Sequence, residues 1–209
     1  MKLFLFILMA STISVGRAQS DKYVAAMEKN LALFDSAKTT QDYQTVANNF
    51  ERIAEAEKTQ WLPYYYAGLA LVTSGWSDPK IDKDANAARI NSFCDKAASF
   101  GENSEIYCLR NMAATQQMMV NPQIRWATYG QQAHQALEKG MALDPNNPRL
   151  YYLQGESVYN TPAAFGGGKD KAKPIFEKAI ELFKKEQPKP LYPRWGLERS
   201  EEMLAHCNK

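Results

Sequence analysis

The chain has 209 residues, of which 25 are Lys or Arg and 23 are Asp or Glu, so its formal net charge is only +2. A chain so close to neutral and without a basic cluster lacks the electrostatic surface of nucleic-acid-binding proteins, and we expect no nucleic-acid partner. The length suits one domain of ordinary size with a continuous apolar core.

The first segment predicts export. Lys2 precedes a continuous apolar run over residues 3–10, and Gly16 and Ala18 place small residues at the two positions that a signal peptidase reads. This is the layout of a secretory signal peptide over residues 1–18, which leaves residues 19–209 as a single domain. The apolar run is too short for a permanent membrane span, which needs about 20 residues. We therefore expect a soluble periplasmic or secreted protein without stable membrane insertion.

The rest of the chain is predicted to be helical, because apolar residues recur at helical spacing and no segment alternates strictly as a half-buried strand does. The predicted helices cover 23–37, 41–58, 61–74, a fourth between Asp82 and Gly101, a fifth from Ser104, a sixth between Asn121-Pro122 and Leu143, and then 148–159, 170–186 and 195–207.

The junction between the sixth and seventh helices is the most informative. One helix ends at Leu143, a turn over residues 144–147 follows, and Pro148 opens the next helix, where its missing N–H costs nothing. Gly155 then leaves room for a neighbouring helix. A short Asp-Pro turn between two such helices is typical of the tetratricopeptide repeat (TPR). We predict an all-α, right-handed superhelical stack of about four TPR-like hairpins and about nine helices.

Four segments spread over the predicted mature chain carry a further resemblance. They are Trp61-Leu62-Pro63-Tyr64-Tyr65-Tyr66-Ala67-Gly68, Asn147-Pro148-Arg149, the run from Pro162 to Lys169, and Pro193-Arg194-Trp195-Gly196. They resemble landmarks of short exported TPR proteins of Gram-negative bacteria. The resemblance implies the fold and the export route, and it implies no catalytic or ligand residue.

The first helices of TPR hairpins line a concave groove. Tyrosine suits such a groove because it combines a large contact area with a polar tip. We therefore expect Tyr65, Tyr152, Arg149 and Gln154 to contact a protein or peptide partner. Packing between neighbouring helices is the alternative for each tyrosine. The predicted function is a non-enzymatic interaction module, an adaptor or scaffold of the bacterial envelope.

A glycine-rich loop, Phe165-Gly166-Gly167-Gly168-Lys169, offers a second candidate site, because such loops before a helix can bind anions. It is not a P-loop, since Ala163 stands where the first glycine belongs and Asp170 where a hydroxyl is needed. This loop would serve the alternative function of a small-molecule or solute-binding component. The structural alternative is a reversing loop in which Phe165 packs against the helices.

Cys94 and Cys108 lie equally far from Gly101, the turn between two antiparallel helices, so a disulfide is geometrically plausible in an oxidising compartment. Two small buried apolar residues are the alternative. Cys207 would then be free or would link two chains, and self-association through the last helix is a third possible role.

No catalytic residue, cofactor or metal site is predicted. The two histidines, His134 and His206, are far apart, and no Cys-x-x-Cys pair is present. The remaining large apolar residues at helical spacing are expected in the core: Met112, Met118, Met119, Trp126 and Trp195.

Overall fold

The computed structural model describes residues 21–209, and the predicted signal peptide lies outside them. This part of the chain is all-α, with nine long helices, one helix of four residues, and no strand, so the predicted all-α class with about nine helices is confirmed. The α-helices are α1 Asp21–Ser36, α2 Thr40–Glu57, α3 Leu62–Ser77, α4 Lys83–Ala98, α5 Ser104–Met119, α6 Pro122–Arg125, α7 Gln131–Leu143, α8 Pro148–Asn160, α9 Lys169–Lys185 and α10 Leu197–Cys207.

Local capping explains where several helices begin. Thr39 and Asp42 form a reciprocal capping box at the start of α2, in which each side chain accepts a hydrogen bond from the other residue's backbone N–H. The side chain of Asp82 caps α4 by accepting hydrogen bonds from the backbone N–H groups of Asp84 and Ala85. Asn147 caps α8 immediately before Pro148, at the junction that the sequence singles out. These caps satisfy N–H groups that have no partner inside the helix.

Consecutive helices pack on each other through most of the chain, and α5 also contacts α3 and α8. One large apolar core runs through α1–α5 and takes in Leu137, Leu150 and Leu153 from the second half. Close helix approach needs glycine at selected points. A Cβ on Gly155 of α8 would lie 2.6–2.9 Å from the ring of Phe176 in α9, which is fully buried.

The helix before the Asp-Pro turn contains a wider turn. Between α6 and α7, the residues Trp126–Gly130 form a π-helical turn, so the chain stays helical from Pro122 to Leu143. Such turns are rare, and they often accompany functional sites.

A segment without regular structure, which we call the strap (residues 186–196), follows α9 and returns to the start of α3. Leu191 of the strap is buried in the large core, and its carbonyl accepts a 2.7 Å hydrogen bond from the hydroxyl of Tyr66. The φ angle of Leu191 is +66°, which is a left-handed backbone conformation. This conformation is energetically unfavourable for any residue that has a Cβ atom. Packing of the strap against α3 therefore holds Leu191 in place.

Within residues 21–209, no helix has both the length and the apolar character needed to cross a lipid bilayer.

Candidate functional site

A buried network of charged and polar groups joins α3, α5 and α8 to Glu186, the first residue of the strap. Arg149 is 2% exposed, and its Nε donates a 2.8 Å hydrogen bond to Glu105 Oε1. Its two terminal nitrogens bind the carboxylate of Glu186. Asn147 and Tyr65 also donate to Glu105, over 2.7 Å and 3.2 Å respectively. Glu105 thus receives three hydrogen bonds, which compensate for its removal from water.

The strap residue Trp195 lies at the centre of the predicted groove residues. Its Nε1 donates a 2.8 Å hydrogen bond to the hydroxyl of Tyr65, and its carbonyl accepts one from Arg149 at 3.5 Å. The ring of Tyr152 meets the Trp195 ring edge-on, with 6.1 Å between centroids. Three of the four predicted groove residues therefore contact a segment of their own chain, while Gln154 is half-buried. Tyr65 and Arg149 have almost no surface left for another partner.

Burial changes the acid–base behaviour of this region. Loss of solvent raises the pKa of Glu105, although Arg149, Asn147 and Tyr65 oppose that change. Burial also raises the pKa of Tyr65, Tyr66 and Tyr152 above the ordinary phenol value.

The raised tyrosine pKa values predict instability at alkaline pH. The fold favours neutral phenols, so their contribution to stability is complete below the unfolded-state pKa of about 10 and declines as the pH rises above it. We expect the denaturation midpoint to fall slightly above about pH 8.5, where the thiols of the three buried cysteines ionise in the unfolded chain, and to fall more steeply above about pH 10, together with the appearance of tyrosinate absorbance. A midpoint that stays constant while tyrosinate forms would contradict this assignment.

A cleft of about 590 Å³ lies beside the network. Trp61 and Tyr192 form aromatic walls, their rings 5.6 Å apart in an edge-on contact. The lining carries four carboxylates, those of Glu102, Glu105, Asp144 and Glu186, against two cations, Arg149 and Lys185. An excess of carboxylates disfavours an anionic ligand in this cleft.

The backbone N–H groups of residues 165–168 cannot act as the anion-binding groups of the predicted loop site. The N–H groups of residues 165–168 all donate to backbone carbonyls between Val158 and Ala163, so they are not available to a ligand. Nor does Phe165 pack against the helices, because its side chain is 82% exposed. The loop is a rigid turn with an exposed apolar tip.

The possible disulfide between Cys94 and Cys108 is not formed, and all three cysteines are free. Both residues are fully buried in the contact between α4 and α5, where they pack as small apolar side chains. The thiol of Cys94 points to the carbonyl of Ile106, 3.8 Å away. Burial raises the pKa of Cys94 to about 12, so its thiolate is scarce at neutral pH. Cys207 is buried too, which leaves little of it to link a second chain.

The structure exposes large apolar side chains near the ends of α3, α5 and α6, and two of them, Met119 and Trp126, are residues that the sequence analysis placed in the core. We call them the apolar end surface: Trp76, Met119, Val120, Ile124 and Trp126. Ile124 is 75% exposed and Trp126 60% exposed. Helical spacing alone could not find this surface. The available signal was the run of apolar residues on both sides of the helix break at Asn121-Pro122.

Three helix ends bring this surface together. Gln116 of α5 donates a 2.7 Å hydrogen bond to the carbonyl of Val72 in α3, which ties the end of α5 to the end of α3. Arg125 of α6 binds Asp84 of α4 at 2.8 Å and 3.0 Å. The π-helical turn starts at Trp126 itself. The helices that carry the apolar end surface are therefore held to one another by hydrogen bonds and an ion pair.

Among the described residues, no group of three or more His, Cys, Asp or Glu side chains is placed to hold a metal ion.

A comparison with known proteins gives an informative likeness. No protein-family model and no curated protein sequence matches the chain. Among solved structures, the HusA haemophore from Porphyromonas gingivalis superposes with a TM-score of 0.82 and 37% sequence identity, over 91% of this chain and 94% of that chain.

Proposed function

This chain belongs to the family of the HusA haemophore, and from that premise we propose that it is an exported protein that captures haem. The observation that carries the proposal is the 37% identity, in an alignment that covers 94% of the haemophore. Catalysis is not part of the proposal.

The apolar end surface is the part of the described chain that best suits haem. Haem is a flat apolar macrocycle with two carboxylates, and a ligand of that kind gains most from aromatic and aliphatic contact. Exposed apolar clusters on a single protein commonly mark binding surfaces. Lys80 is exposed in the turn after α3, four residues beyond Trp76, where it can meet a carboxylate of the ligand. The aromatic cleft is a poorer choice because its lining is acidic.

Replacement of Trp126 by alanine together with Ile124 by serine tests this assignment. Each side chain contributes about 1.5–3 kcal/mol when fully buried by a ligand, so we expect haem affinity to fall at least tenfold. Titration followed by haem absorbance measures the effect without depending on the tryptophan that is removed.

The matched control is Leu33→Ser, which removes a partly exposed apolar residue from α1. It should leave haem affinity unchanged. If the wild-type protein does not bind haem, the proposed function is refuted. If wild type and the double variant bind haem with equal affinity, haem binds outside the apolar end surface.

A protein or peptide adaptor is the second candidate, and the TPR assignment belongs with it. Pairwise packing of consecutive helices and the close approach at Gly155 support a TPR-like array. The strap weighs against the concave face as the place where a partner binds, so a partner would use the apolar end surface. Pull-down from envelope extract with wild type and the Trp126→Ala/Ile124→Ser variant tests this alternative: a protein recovered only with wild type favours it.

A further inference from the structure

The loop between α8 and α9 is not explained by haem capture. Pro162, Ala163, Ala164 and Phe165 are consecutive and all exposed, so the loop presents an apolar tip to solvent. Phe165 is the most exposed large apolar residue in the described part of the chain. Four consecutive exposed apolar residues make a continuous apolar surface, and such surfaces commonly mark binding sites.

The loop holds this tip in one conformation. Four backbone hydrogen bonds close it, including Gly167 N–H to Pro162 O at 3.3 Å and Gly168 N–H to Val158 O at 2.9 Å. A Cβ on Gly167 would lie 2.2 Å from the carbonyl oxygen of Thr161, so only glycine fits there. Because the tip is already ordered, docking it costs little conformational entropy.

Positive charge follows the loop, in the first turns of α9. Residues 161–176 contain three lysines, Lys169, Lys171 and Lys173, and a single acid, Asp170. None of the three lysines forms an ion pair within residues 21–209. Lys169 is four residues from Phe165, which puts it within roughly 14 Å of the tip even if the chain were fully extended. The N-terminus of α9 adds the positive end of its helix dipole.

From this combination we propose that the loop docks the protein peripherally on an anionic lipid surface, with Phe165 at the acyl boundary and the lysines at the phosphates. An apolar tip with a basic surround matches the interface of an anionic bilayer, which is apolar inside and negatively charged at its surface. A soluble acidic protein would need the lysines but would gain less from a single protruding phenylalanine. The proposal does not depend on haem binding, because the loop lies outside the apolar end surface.

Co-sedimentation of the exported chain with vesicles tests the proposal. The vesicles are phosphatidylcholine alone and a phosphatidylcholine–phosphatidylglycerol mixture. We expect the wild-type protein to sediment with the mixed vesicles and not with phosphatidylcholine alone. Phe165→Ser should bind the mixed vesicles about tenfold more weakly. In Lys169→Ala/Lys171→Ala, each lost lysine should weaken binding about fivefold. Phe165 and both lysines are exposed, so these variants should fold normally.

Two controls match the variants in chemistry. Leu33→Ser removes an exposed apolar residue, and Lys22→Ala/Lys29→Ala removes two exposed charges from α1. Both should bind the anionic vesicles as wild type does. The proposal is overturned if wild type does not sediment with the anionic vesicles, if Phe165→Ser sediments equally well, or if both vesicle types bind equally. Loss of binding with inorganic phosphate at constant ionic strength would also overturn it, because that result describes a free-anion site.

Discussion

Replacing Arg149 with methionine should lower the free energy of unfolding by about 3–5 kcal/mol. The side chains of Arg149 and Glu105 are almost completely buried, so the variant leaves the Glu105 carboxylate inside the protein without its cation. Asn147 and Tyr65 still donate to it, but neither carries charge. Urea denaturation at neutral pH measures the loss.

Two comparisons separate the charge effect from simple loss of packing. Arg110→Met breaks an ion pair with Asp95 whose side chains are 28% and 71% exposed, and it should cost less than about 1 kcal/mol. The double variant Arg149→Met/Glu105→Leu removes both buried charges and should recover most of the stability. If the double variant is as unstable as Arg149→Met, the loss comes from packing and the charge argument is wrong.

The pH dependence of Arg149→Met follows from the same carboxylate. Burial without a cation favours the neutral acid, so the folded-state pKa of Glu105 lies above its unfolded value of about 4.3. The penalty is therefore complete above the folded-state pKa and disappears below the unfolded one. The stability difference between wild type and variant should narrow as the pH falls from neutral towards 4.

Replacing Trp195 with alanine should lower the free energy of unfolding by about 3 kcal/mol. This ring contacts Tyr152, lies 5.9 Å from the Arg149 guanidinium and donates to Tyr65, so the change removes aromatic packing and one hydrogen bond together. The strap should loosen in consequence. Faster tryptic cleavage after Arg194 would report that loosening independently of the unfolding measurement.

Trp76→Ala is the matched control for Trp195→Ala, because Trp76 is half exposed at the opposite end of α3 and its removal uncovers little core. It should cost well under 1 kcal/mol. Unchanged cleavage of the strap in Trp195→Ala, with stability close to wild type, would show that Leu191 and Tyr192 alone hold the segment on α3.

Local sequence signals predicted the helices because caps and apolar spacing act within a few residues. The predicted helix at 148–159 is α8 to within one residue, and Asn147 and Pro148 explain its start. The last helix begins at Leu197 and not at residue 195, because Gly196 adopts a φ of +113° and Trp195 belongs to the strap. That difference arises from a contact with Tyr65, 130 residues earlier in the chain.

The candidate sites could be predicted less well, because exposure depends on which neighbours cover a helix face. Apolar spacing places Met119 and Trp126 each on the apolar face of its helix. It does not show whether another helix covers that face, and in the structure both side chains are exposed. Conversely, Tyr65 and Arg149 looked available, and the strap covers them. The prolines at 188, 190 and 193 indicate an extended segment, yet nothing local indicates where such a segment lies.

The strap also changes how this stack can come apart. In a linear array of helical hairpins each unit contacts only its neighbours, so terminal units can unfold while the others persist. Here the segment after α9 is bonded to α3 through Leu191 and Trp195, across 125 and 130 residues of sequence. These bonds couple the early helices to the late ones, so we expect the described part of the chain to unfold in one cooperative step and not from its ends.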